Sequence, residues 1–185
     1  CVSQATFDVV RAHKKTLIVD GAHGAHFAFS PLFPSPPCRV ADYCNMSAHK
    51  TLAAYTQTAY LAVNVDPAPV DRALRLLGTT SPSYLFLSAL EEAVEQAKQA
   101  DYAGLKVETD RLRRKFAFAD NDDFSRLVLD ARPFGLDGHA LYKRLLERGV
   151  AAETADARYV ILIATPCNAD DLPALGRILE RFDER

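Results

Sequence analysis

The sequence predicts an α/β fold in two parts, a larger one over residues 1–100 and a smaller α/β one over residues 101–185. Three observations lead there. Short apolar runs of strand length, Thr16–Asp20, Val40–Met46 and Thr58–Asn64, alternate with helical patterns in the first hundred residues. Leu87, Leu90, Val94 and Ala97 then recur at three- and four-residue steps, the mark of an amphipathic helix. After Asn121-Asp122-Asp123 the pattern changes to a β-α-β-β-α-like block that reads as a separate layer.

Taken in order, Phe7–Lys14 reads as a short helix with His13 and Lys14 in its last turn, where cations suit the helix dipole. Thr16–Asp20 reads as a buried strand of a parallel sheet ending in a carboxylate. Gly21 and Gly24 let the backbone turn tightly and approach a ligand. Pro31, Pro34, Pro36 and Pro37 make residues 30–37 an irregular loop. Val40–Met46 and Thr58–Asn64 are the next strands, and Pro67 and Asp71 suit the start of a helix over 66–77. Residues 106–115 continue the helical register begun at Tyr84, with Arg111, Arg113, Arg114 and Lys115 exposed as a solvated face balanced by Glu108 and Asp110. Ser125–Asp130 and Tyr159–Ala164 are strands. Asp137 caps a helix over 138–148 that Gly149 stops, and Leu172, Leu175, Ile178, Leu179 and Phe182 form the buried stripe of a closing helix.

A chain of 185 residues buries roughly 70% of its unfolded surface. With 49% hydrophobic and 25% charged residues it has an ordinary globular composition. A net charge of −2 gives no reason to expect a nucleic acid or an acidic membrane surface as partner, and a small molecule fits better. No apolar run reaches the roughly 18 residues of a membrane span, and the start of the chain lacks a signal-peptide pattern. Cys1, Cys38, Cys44 and Cys167 form no close pair, so free thiols and a reducing cytoplasm are the expectation.

The chemistry concentrates in the stretch from Ser47 to Thr58, Ser-Ala-His-Lys-Thr-Leu-Ala-Ala-Tyr-Thr-Gln-Thr, centred on Lys50. A lysine beside a histidine, with hydroxyl residues around it, is either a solvated loop lysine or an amine able to form a Schiff base with a cofactor aldehyde. Ligands of open α/β sheets sit outside the carboxyl ends of strands, which is where Asp20 and Lys50 both fall. A lysine for an aldehyde and an acid for a ring nitrogen are what pyridoxal phosphate requires of a protein. His23 and His26 beside Asp20 also admit a metal reading, with no obvious fourth ligand. The cofactor reading uses Asp20 and His23 without one.

The segments Asp20-Gly21-Ala22-His23-Gly24-Ala25-His26-Phe27, Ser47 to Leu52 and Thr79-Thr80-Ser81-Pro82-Ser83-Tyr84 resemble, in order and approximate spacing, the ornithine/lysine/arginine decarboxylase family. The resemblance runs through nearly the whole chain. It implies the second half of a fold type I (aspartate aminotransferase-like) pyridoxal phosphate large domain with its connecting helix, followed by a small α/β C-terminal domain. It also implies that Lys50 holds the cofactor aldehyde, that Asp20 pairs with the pyridine nitrogen, that Ser47 and His49 lie near the phosphate and that His23 sits close to the ring. Thr80 and Ser81 would lie at a dimer interface and help build the neighbouring subunit's site. Glu153 matches a position near the substrate, or is a surface residue in a short turn.

Two departures stand out. Gly21 occupies a position where the family usually has an acidic residue, and the chain begins at Cys1 in what would be the middle of the large domain. The resulting expectation is decarboxylation of ornithine, lysine or arginine to the amine and carbon dioxide by a homodimer or higher homo-oligomer. A truncated non-catalytic dimerisation or interaction module, and a pyridoxal phosphate enzyme of aminotransferase or lyase type, are the competing readings.

Overall fold

The computed structural model describes residues 4–183 and divides into two compact units, Cys1–Ala100 and Asp101–Arg185. Cys1 lies outside the described residues. No helix among the described residues is long and apolar enough to cross a membrane.

In the first unit, helix α1 (Gln4–Ala12) buries Phe7 against a three-stranded sheet, β1 (Ile18–Asp20), β2 (Tyr43–Ser47) and β3 (Ala59–Val63). The order is β1-β2-β3, with β1 and β2 parallel and β2 and β3 antiparallel. The sheet is therefore mixed rather than parallel. β1 is covered on one face only: Val19 is buried while Ile18 is 72% exposed. Leu17, Val19, Ala25, Ala41, Cys44 and Met46 complete the core around Phe7. The Arg11 guanidinium donates to Asp42 Oδ1 at 2.9 Å, and Asp42 Oδ2 accepts from Leu17 N at 2.7 Å. That pair of bonds ties α1 to the entry of the sheet.

His13 and Lys14 fall beyond α1. Lys14, at φ 50°, is in the turn that redirects the chain into β1. β2 starts at Tyr43 rather than Val40, because Pro37 opens a 3₁₀ turn, Pro37–Arg39, whose carbonyl takes the amides of Val40 and Ala41. The proline-rich loop packs through Phe33, whose ring meets His26 edge-on at 4.5 Å and stacks on Phe27 at 5.8 Å.

Helix α3 (Ala68–Leu77) buries no residue, and α4 (Tyr84–Gln99) buries Ala93 and Ala97. The turned-in face of α4 runs Leu90, Ala93, Val94, Ala97, and Leu87 stays 48% exposed. The Tyr60 hydroxyl donates to Leu90 O at 2.6 Å, fastening α4 to β3.

In the second unit, α5 (Tyr102–Lys115) is a new helix and not a continuation of α4. Ala100 is extended at φ −70°, ψ 141°, and Asp101 caps α5 by accepting from Gly104 N at 2.8 Å. Arg113 is half-buried rather than solvated: it donates to Ala119 O at 3.2 Å and Arg126 O at 2.8 Å, with its guanidinium over the Phe118 ring. Strands β4 (Arg126–Asp130), β5 (Thr154–Ala155) and β6 (Tyr159–Ile163) form an antiparallel sheet in the order β4-β6-β5. Helices α6 (Gly138–Leu146) and α7 (Leu172–Asp183) complete the unit. Its core is Leu105, Leu127, Leu129, Leu141, Leu145, Val160 and Leu179, each essentially inaccessible. Burial of such a side chain stabilises by roughly 1.5–3 kcal/mol.

Candidate active site

Parallel pairing of β1 with β2 puts the carboxyl ends of both strands at one edge. The register sets Asp20 opposite Asn45, and Gly21 N extends the ladder by donating to Asn45 O at 2.8 Å. The chain leaving β1 carries Asp20, Gly21, Ala22 and His23. The chain leaving β2 carries Ser47 and then a single-turn helix α2 (Ala48–Thr51) with His49 and Lys50. Gly21 is the close-approach point: a Cβ there would meet Cys44 Sγ at 2.9 Å and Asn45 O at 3.2 Å, so any side chain would push the strands apart.

The two chain segments meet through Lys50 Nζ and His23 Nε2, 3.3 Å apart. A hydrogen bond between an amine and an imidazole needs a lone pair on one of them, so two charged groups cannot form it. The contact therefore shares a proton between an exposed amine and a half-buried ring. Asp20 is exposed and accepts from Ala22 N through Oδ1 at 3.0 Å, an Asx turn that orients its carboxylate. Ser47 is half-buried and does not spend its hydroxyl on a cap for α2. His49 Nδ1 lies 3.0 Å from Thr58 O.

Asp20, His23, Ser47, His49 and Lys50 thus share one sheet edge. Thr80 and Ser81 do not join them: they lie on the exposed turn between α3 and α4, where Thr80 borders a shallow depression with Asp71, Leu74, Arg75, Gly78 and Thr79. Glu153 belongs to the second unit, exposed just before β5, with its amide donating to Ile161 O at 2.9 Å. His26 is buried between aromatic rings, and no group of three or more His, Cys, Asp or Glu side chains able to hold a metal occurs among the described residues. Thr51 and Thr58 lie within the stretch marked out from the sequence, but neither was given a role there. The hint for Thr58 was its place at the start of a strand. Thr51, next to Lys50, is buried with a hydroxyl that has no hydrogen-bond partner among the described residues.

The donor set fits pyridoxal phosphate. It offers a primary amine for the aldehyde, a carboxylate for a protonated ring nitrogen, and a hydroxyl and an imidazole for the phosphate. Burial pushes the Cys44 thiol beneath this edge upward, which keeps it out of the chemistry.

Comparisons with known proteins bear on the family and the fold. The chain is 31% identical over 170 residues to the uncharacterized protein YaaO of Bacillus subtilis (strain 168), covering 80% of this chain and 35% of that protein. It is 28% identical over 200 residues to an arginine decarboxylase of the same organism, covering 91% of this chain and 40% of that protein. The chain therefore spans well under half the length of these relatives. The fold matches the crystal structure of the Francisella novicida lysine decarboxylase LdcF with a TM-score of 0.69 at 15% identity, covering 90% of this chain and 32% of that one. A family model described as the major domain of Orn/Lys/Arg decarboxylases matches residues 3–126. On that match, which takes in the strand-end cluster around Lys50, the chain belongs to the Orn/Lys/Arg decarboxylase family.

Proposed function

We propose that this chain is part of a pyridoxal phosphate-dependent decarboxylase that converts a basic amino acid, ornithine, lysine or arginine, to its amine and carbon dioxide. The observation that carries the reading is the meeting of Lys50 with His23 at the carboxyl ends of two parallel strands, one of which ends in Asp20. Membership of the family supports it, as do the arginine decarboxylases among the relatives.

The cofactor, when bound, supplies an electron sink for the pair left by the departing carboxylate. The chain's own residues supply capture, orientation and proton transfer. Lys50 presents the amine that captures the aldehyde, and His23 Nε2 takes or returns its proton across 3.3 Å. Asp20 offers an anionic acceptor to a protonated ring nitrogen. Ser47 and His49 bind the phosphate. Glu153, which matches a position near the substrate in related decarboxylases, is the candidate substrate residue.

Thr80 and Ser81 serve the neighbouring site of a homodimer. Exposed Leu74, Leu76, Leu77, Tyr84, Leu85 and Leu87 around their turn support self-association. Free Cys38, Cys44 and Cys167 go with a cytoplasmic setting.

The test adds pyridoxal phosphate to the chain, reduces with borohydride and locates the modified residue by mass. A label on Lys50, lost in Lys50→Ala, together with carbon dioxide released from one of the three amino acids, is the expected result. A label that survives Lys50→Ala overturns the assignment of the amine. Keto acid without carbon dioxide overturns decarboxylation.

A further inference from the structure

His49 carries a proton whose position the structure assigns. Its Nδ1 lies 3.0 Å from Thr58 O, and a carbonyl oxygen can only accept, so Nδ1 bears the hydrogen. A neutral imidazole has one N–H, which leaves the lone pair on Nε2.

The acceptor is itself held in place. Thr58 is 3% exposed, and its hydroxyl donates to Tyr55 O at 2.6 Å. Gln57, at φ 71°, reverses the chain just before it. The β2–β3 register, Ser47 opposite Ala59, then brings Thr58 O over the start of α2, where it also takes the amide of Ala48 at 3.0 Å. Two neighbouring donors of α2 converge on one carbonyl, and the imidazole is anchored through Nδ1.

We propose that Thr58 is a positioning residue for His49: it occupies Nδ1, so that an anionic phosphate group meets His49 through Nε2 alone. This rests on the reading of His49 as a phosphate contact. A phosphate monoester dianion carries no O–H to donate to a lone pair, so Nε2 takes a proton from solvent as the phosphate group binds. The resulting imidazolium keeps Nδ1–H on Thr58 O and directs Nε2–H to a phosphate oxygen. Ionisable groups among the described residues stand on its own element and on those packed against it. Lys50 follows it on α2 with His23 bonded to that lysine, Tyr60 is on β3, and His26 is on the 3₁₀ helix Ala25–Phe29 packed against α2.

The experiment is long-range ¹H–¹⁵N NMR on the full chain with ¹⁵N-labelled histidine, the His49 signals being assigned by their loss in His49→Gln. The neutral ring is expected as the Nδ1–H tautomer, and methyl phosphate, a monoester whose dianion has no O–H, added at constant pH is expected to protonate Nε2. Thr58→Ala, which cuts the hydroxyl's tie to Tyr55, is expected to mix the tautomers. It should also raise the methyl phosphate concentration for half-protonation by about five-fold, the worth of one ordinary hydrogen bond. Thr58→Ser retains the hydroxyl and is expected to restore both.

An Nε2–H ring in the unsubstituted chain overturns the proposal, and so does an Nδ1–H ring that methyl phosphate leaves unprotonated. A folded Thr58→Ala with an unchanged tautomer removes the positioning role. The spectrum of the unsubstituted chain decides the tautomer even where that variant fails to fold. Labelling of Lys50 by the cofactor is read separately by mass, so failure here is distinguishable from failure of the decarboxylase reading.

Discussion

Asp130, at the end of β4, accepts from Arg132 Nη2 at 2.7 Å and from Arg158 Nη2 at 2.9 Å, and both guanidiniums also reach it through Nε. The Arg132 hydrogen bonds, followed by those of Arg158, hold its carboxyl far below the usual carboxylate range. A carboxyl depressed in the folded state contributes stability above its unfolded value near 3.9, and that contribution is lost as the pH falls through the folded one. The second unit is therefore expected to lose stability as the pH drops below about 4. Asp130→Asn is expected to lower stability near neutrality and to flatten that acid dependence, without abolishing it, since Asp156 and Glu180 are also depressed. Thermal melts across this range check it, and parallel acid slopes in the two chains would exclude Asp130 as a source.

At the scale of elements, α5 exists as a separate helix because Asp101 interrupts the register. Replacing Asp101 by Ala removes the acceptor for Gly104 N and is expected to cost the second unit about 1 kcal/mol. In a domain of this size that is a fall in melting temperature of about 4–8 °C. Asp101→Asn should retain most of the lost stability, and urea unfolding of the three chains compares them. The sequence did not disclose this break, because Leu105, two four-residue steps beyond Ala97, continues the apolar spacing of α4. Strand direction was equally hidden: Thr58 to Asn64 reads the same whether it runs with β2 or against it. Arg113 was taken as solvated from its charge, whereas the carbonyls of Ala119 and Arg126 that receive it come from the connection into β4 and from its first residue, whose path only the fold supplies. The ends of strands were legible, and with them the positions of Asp20 and Lys50. The contact of Lys50 with His23 was not, since it depends on a register between segments separated by the whole proline-rich loop.

At the scale of the whole molecule, Leu76 and Leu77 are 78% and 88% exposed on a helix that buries nothing. Leu76→Asp with Leu77→Asp leaves the cores of both units untouched. Buried apolar anchors carry much of the energy of an interface, so the double substitution is expected to raise the dissociation constant of self-association by about tenfold or more. Sedimentation velocity across a concentration series measures it, and an unchanged constant would exclude this helix from the contact of the homodimer proposed above. The ladder that pairs Asp20 with Asn45 has a different reach. Because the acid and the amine are held by adjacent strands, their separation is fixed by backbone hydrogen bonding and not by the length of chain between them. Away from its anchor at Phe33, the intervening loop can change length without altering that separation. A slip of a single residue along that ladder would dismantle the site without altering one of its side chains.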